Sequence, residues 1–272
     1  MVRREFVAAR GWDKLVVLGR VFVAAPLAGF GVEHLAFARS IMEVVPAWMP
    51  ARLFAACFVG VALLAAALGL TFKIQIRLTA TLLAIMFFGF VLLLHVPNVV
   101  AHVRARVFWT VALRDLVFAA GALALAGARQ NDERGREIGV LVTVARVCVA
   151  IPLLFFCVEE FLFPRFVPGV PLNKLMPGWV PVPAALGYLC GTILLVAGSC
   201  MLLNRYARTA AAAVGLMITV LTFGLYLPIL LMARGGGQII EGFNYVADTM
   251  LFGGAVLFLA VGLTKRERTA EA

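Results

Sequence analysis

Residues 20–37 read "RVFVAAPLAGFGVEHLAF", and residues 146–163 read "RVCVAIPLLFFCVEEFLF". Overlaid at a separation of 126, the two stretches agree at ten of eighteen positions, among them Arg20 with Arg146, Pro26 with Pro152 and Glu33 with Glu159. Each is an apolar run that carries an arginine near its start. Each closes on ionisable residues, Glu33–His34 in one and Glu159–Glu160 in the other. A run of about 20 apolar residues crosses a hydrocarbon core as a helix, because lipid offers the backbone no other hydrogen-bond partners. A membrane helix that occurs twice implies a duplicated unit.

The likeness continues outward. At a separation of 131, Pro46, Trp48 and Pro50 meet Pro177, Trp179 and Pro181, and Gly60, Arg77 and Pro97 meet Gly191, Arg208 and Pro228. At 133, Asp115 meets Asp248 and Gly121 meets Gly254. The separation changes only in connections, of which residues 164–183 gain five positions. Eight apolar runs are expected to span, at about 15–37, 51–72, 78–97, 107–127, 138–162, 184–204, 209–232 and 244–264. The fold class that follows is an all-α polytopic membrane protein, with eight transmembrane helices as two parallel-repeat four-helix bundles. The repeats are residues 1–130 and 131–272, joined by the polar linker "GARQNDERGRE" at 127–137. An even number of spans returns the chain to the same side, so the repeats are parallel, and short connections favour an up-down-up-down order.

Composition agrees with this class. The chain of 272 residues is 63% hydrophobic and 14% charged, with a mean hydropathy of +1.02, whereas soluble domains are about half apolar and a quarter charged. The basic lead "MVRREFVAARGWDK" resembles the start of a signal peptide. A signal core has only about 7–15 apolar residues, however, and this run is longer and contains Arg20, so a retained span is expected.

The net charge of +10 excludes no partner by itself, but its distribution argues against nucleic acid, since no basic run interleaves with aromatics on a polar segment. Fourteen lysines and arginines fall on one side: those of the N-terminus, Lys73, Arg77, Arg129, Arg134, Arg136, Arg205, Arg208 and the C-terminal group. Seven fall on the other, and Arg20, Arg114 and Arg146 lie within spans. The positive-inside bias places both termini in the cytoplasm of a multi-pass inner-membrane protein, with the lipid bilayer as its first partner. Five cysteines lie in spans without a Cys-x-x-Cys pair, which argues for packing rather than redox or zinc chemistry.

The arginine early in the first span, the small-residue stretch before an acidic or histidine position and the following "PAWMP" together resemble the DoxX family. The counterparts in the second half resemble it too, so the likeness covers nearly the whole chain. A tandem arrangement departs from the single four-span unit of that family, and Glu160 stands where the first copy has His34. The resemblance implies an accessory or anchoring component of a membrane redox system, with a redox partner protein and with quinone as a possible ligand. Two alternatives stand beside it: a permease for a small solute moved along the interface between the repeats, and a purely structural scaffold.

Ionisable residues inside spans are costly and normally face the bundle interior with a partner. The candidate polar cluster is Arg20, Glu33, His34 and Asp115 in the first copy, with Arg146, Glu159, Glu160 and Asp248 in the second. From helix depth, Arg20 is about 10 Å from Asp115 along the membrane normal, within reach of two extended side chains, so Arg20–Asp115 and Arg146–Asp248 are expected as buried pairs. Arg114, whose counterpart is Ala247, is expected to snorkel outward. Glu33–His34 and Glu159–Glu160 are expected near the outer ends of their helices. They either line a mouth, as a proton relay or as a cation or quinone head-group site, or are simply hydrated there. His95 and His102 read as interfacial anchors, and no histidine–carboxylate spacing matches a metal motif. No catalytic residue is assigned. The Pro- and Trp-bearing segments after the first span of each copy serve as interfacial anchors or as a lid.

Overall fold

The computed structural model describes residues 2–128, 135–170 and 173–270, with side chains described for 14–128, 139–170 and 173–263. Residues 129–134 of the linker lie outside it, as do the side chains of Arg3, Arg4, Arg10, Arg136 and the C-terminal basic group. Eight long helices carry the fold: α1 (Val2–Ala36), α2 (Arg52–Thr71), α3 (Ile76–Ala101), α4 (Arg106–Ala128), α5 (Gly135–Leu162), α6 (Pro183–Leu202), α7 (Ala207–Leu231) and α8 (Gly236–Ala270). Each contains a stretch long and apolar enough to cross a bilayer. The eighth apolar stretch begins at Gly236 rather than near 244, because the polar "GGQIIEG" start continues the helix instead of forming a loop. The protein is an all-α polytopic membrane protein.

Two helices form the centre. About 72% of the best apolar window of α4 and 83% of that of α8 are buried, against 22–50% for the other six, so α4 and α8 are the core and the rest face lipid on one side. They pack on one another directly. A Cβ added to Gly121 of α4 would lie 2.4 Å from the Ala255 Cα of α8, so the two backbones touch. Apolar burial gives membrane helices little reason to associate, and such small-residue seams supply the packing instead. Around this centre, α1 packs on α2 and α8, α3 on α4, α4 on α5, α5 on α6 and α7 on α8. The contact of α4 with α5 therefore has its counterpart in the contact of α8 with α1.

The backbone shows the same separation of 131 as the sequence. Left-handed non-glycine residues occur at Ala51, Lys73 and Gln75 and again at Val182, Asn204 and Tyr206. Such conformations are uncommon outside glycine, and here they set the entry to α2 and α6 and the tight turns before α3 and α7. One π turn interrupts α3 at Val91–His95 and another interrupts α7 at Thr222–Tyr226. Pro97 and Pro228 follow each by two residues. A proline inside a helix removes one N–H and crowds the carbonyl four residues back, and a widened turn relieves that crowding. The turns leave His95 and Tyr226 directed toward the interior: Tyr226 is fully buried, and His95 reaches Asp115 on α4.

Candidate functional site

A cavity of about 650 Å³ lies on the first-half side of the protein, between α1, α2, α3 and α4 of the first half and α8 of the second. Its volume is within the usual range for ligand pockets, roughly 300–1,000 Å³. Aromatic and thioether side chains such as Phe30, Met86, Phe87, Phe90 and Phe118 form its walls. Phe58 of α2 and Leu93 of α3 both line it and are exposed on the outer face of the helices, so the cavity reaches the lipid-facing surface between α2 and α3.

Its polar floor is built on Arg114. The guanidinium donates through Nε to Asp115 Oδ1 at 3.1 Å and through Nη1 to Asp248 Oδ2. It also lies over the Phe118 ring at 5.5 Å, a cation–π geometry. His95 Nε2 donates to the other oxygen of Asp115 at 2.8 Å. Asp115 and Asp248 are both buried, so an arginine shared between them is what makes two carboxylates tolerable at this depth. Above the floor, Asn244 donates to Glu33 Oε1 at 3.4 Å, while its own Oδ1 is buried without a partner. His34 donates through Nδ1 to the Phe30 carbonyl at 2.8 Å, which leaves Nε2 as its remaining ring nitrogen at the cavity.

The structure thus gathers Glu33, His34, Asp115 and Asp248 of the expected cluster into one site and adds His95, Arg114 and Asn244. Neither Arg20–Asp115 nor Arg146–Asp248 is among the ion pairs of the described residues. Arg114 takes the role instead, because it is adjacent to one aspartate and faces the other across the α4–α8 seam. It is half-buried with its guanidinium directed inward to the two aspartates, and does not snorkel. Arg146 donates to the Met201 and Leu202 carbonyls at the end of α6, where the last carbonyls of a helix lack internal partners and the dipole is negative. Arg20 is half-buried, with Nε unbonded. His95, read from sequence as an interfacial anchor, is a partner of Asp115. The sequence shows that His95 precedes Pro97 by two residues as Tyr226 precedes Pro228, but that this position faces the interior is evident only from the structure, where Tyr226 is buried.

Glu159 and Glu160 are not hydrated helix ends. They are 4% and 2% exposed, because the connection after α5 folds back over them. Phe166 and Leu175 pair as an antiparallel bridge, closed by Val167 N to Lys174 O at 2.9 Å and Met176 N to Arg165 O at 2.9 Å. Glu159 accepts from Thr110 Oγ1 at 3.0 Å and pairs with Arg106 Nε at 3.4 Å, tying α5 to α4. Glu160 accepts from the Gly169 backbone N–H at 2.6 Å. Two adjacent acids at a helix end are therefore explained by two different anchors, one on a helix and one on a loop.

Among the described residues, no group of three histidine, cysteine, aspartate or glutamate side chains is arranged to hold a metal ion. Cys157 and Cys190 are buried and Cys57, Cys148 and Cys200 half-buried, all as free thiols. Compared with models of protein families, with curated proteins and with solved structures, the chain matches none.

Proposed function

We propose that the protein binds an amphipathic small molecule from the bilayer in the first-half cavity, with the polar head on the Arg114 floor. The supporting observation is the cavity itself, which combines apolar walls open between α2 and α3 with a polar end that keeps acceptors to spare. Three carboxylates (Glu33, Asp115 and Asp248) stand against one guanidinium, and Asn244 Oδ1 lacks a donor. A head group that donates hydrogen bonds suits this excess of acceptors better than one that only accepts. A quinol, with two hydroxyls, therefore suits it better than the quinone. The sequence resemblance to the DoxX family supplies the wider setting: two tandem four-span copies in an inner membrane, serving as an accessory or anchoring component of a redox system. The permease reading has less support, since its route between the halves is where α4 and α8 meet backbone to backbone at Gly121 and Ala255.

A decyl-chain benzoquinol and the matching benzoquinone, titrated against purified protein in nanodiscs, test the reading. The quinol is expected to bind about tenfold more tightly, the scale of one hydrogen bond to a charged group, and Asn244→Leu to weaken it. Equal affinities, or none, overturn it. The orientation is tested separately. Reporter fusions after Lys73, Arg136 and Arg205 are expected to signal the cytoplasm, and a signal from the opposite side at Arg136 overturns the parallel arrangement.

A further inference from the structure

The second half encloses a space of the same design and fills it with its own chain. Val167 and Val170 are 0% and 1% exposed. Between them, Gly169 donates its N–H to Glu160 Oε1 at 2.6 Å, and Tyr226 donates its hydroxyl to the Pro168 carbonyl at 2.9 Å. Gly169 adopts φ +97°, and a Cβ there would lie 2.7 Å from Leu221 Cδ1 and 2.9 Å from Ile218 Cδ1. Only glycine fits that backbone and that gap. The walls around this segment are thus Glu160, Ile218, Leu221 and Tyr226.

Their counterparts at the separations of 126 and 131 are His34, Phe87, Phe90 and His95. All four line the open cavity of the first half. The connection after α1 is five residues shorter than that after α5, and of it only Ile41, Val44, Val45 and Met49, none of them fully buried, line the cavity. We infer that the protein carries one site in two conditions: open to a ligand in the first half, and permanently occupied in the second by the segment Val167–Val170. The binding stoichiometry is then one per chain, although the design occurs twice. The occupant also indicates what the space accepts, namely a polar group flanked closely by branched apolar ones. This rests on the first-half cavity being the ligand site, and the test separates the two ideas.

Cys190 reports on the filled site, because its counterpart Val59 lines the open one and its neighbour Gly191 lies against Glu160. In protein with Cys57, Cys148, Cys157 and Cys200 changed to alanine, N-ethylmaleimide is expected to leave Cys190 largely unmodified. With Cys190 also changed to alanine, Val59→Cys is expected to react at least tenfold faster. Replacing residues 164–181 by residues 38–50 is expected to bring Cys190 to the rate of Val59→Cys. Should that chimaera not be recovered folded, Val167→Gly with Val170→Gly, which thins the plug, carries the same expectation. Similar rates for Cys190 and Val59→Cys in the unswapped protein overturn the inference, as does a Cys190 that stays shielded once the plug is removed or thinned. Benzoquinol protection of Val59→Cys reads the ligand proposal alone, so its failure leaves the labelling comparison intact.

Discussion

Arg114→Met is expected to be the most damaging single substitution in the described protein. It removes the guanidinium shared by Asp115 and Asp248 and leaves two buried carboxylates on facing helices without that cation. Breaking a buried ion pair from one side costs about 3–5 kcal/mol, most of it the price of the charge left behind. For a chain of this size that corresponds to a drop in melting temperature on the order of 10 °C in detergent. The accompanying control is the triple variant in which Asp115→Asn and Asp248→Asn join Arg114→Met. It has no orphaned charge, so part of the loss is expected to return, the two buried amides still carrying the smaller cost of polar groups without full partners. An unaffected single variant, or a triple variant as unstable as the single, would show that Arg114 does not hold the α4–α8 seam.

The fold was legible because lipid restricts the alternatives. Eight apolar runs have to be helices if they cross, and the boundaries read from hydropathy lie within a few residues of the apolar stretches of the helices except at the start of α8. There the polar residues Gln238 and Glu241 suggested a loop, yet Glu241 is held by Lys174 at 2.9 Å and by Tyr245 at 2.6 Å, and the helix runs on through them. Which helices form the centre was legible only in part. Gly121 and Gly254 stood out as matched small residues, but the direct contact of α4 with α8 depends on a backbone approach at Ala255 that no periodicity reveals.

The site was legible in its residue types more than in its pairings. Depth along the membrane normal brought Arg20 toward Asp115, but depth is one coordinate of three, and Arg114 lay nearer in the other two. An arginine without a charged counterpart in the other copy looked like a residue with no interior role. In fact its position explains the asymmetry: one guanidinium near the centre serves an aspartate from each half, so a single arginine in one copy is shared by both. The loop that buries Glu159 and Glu160 was announced by its five added residues, but an insertion on its own does not say whether it folds outward or inward.

That loop leads to the second large effect, at Glu160. Its carboxylate holds the Gly169 N–H inside the second half, and Gly191 of α6 closes on its Cβ, with an added Cβ there lying 3.0 Å away. Glu160→Gln keeps an acceptor oxygen at the same reach, so a change of about 1 kcal/mol or less is expected. Glu160→Ala removes the acceptor and leaves a buried N–H unsatisfied at a glycine whose left-handed backbone cannot readily turn to another partner. An orphaned buried donor costs about 1–3 kcal/mol, and the cavity left by the side chain adds to it. The expected result is a clear fall in thermal stability for Glu160→Ala and little for Glu160→Gln, with faster proteolysis between Phe163 and Pro181 in the alanine variant. The counterpart substitution His34→Ala removes a hydrogen bond from Nδ1 to Phe30 within its own helix and none to a loop, so stability is expected to change less than for Glu160→Ala. Binding in the first-half cavity is where His34→Ala should register. If the two alanine variants were equally destabilised, the loop would not be what separates the halves. If Glu160→Ala left the loop as resistant to protease as before, the carboxylate would not be its anchor.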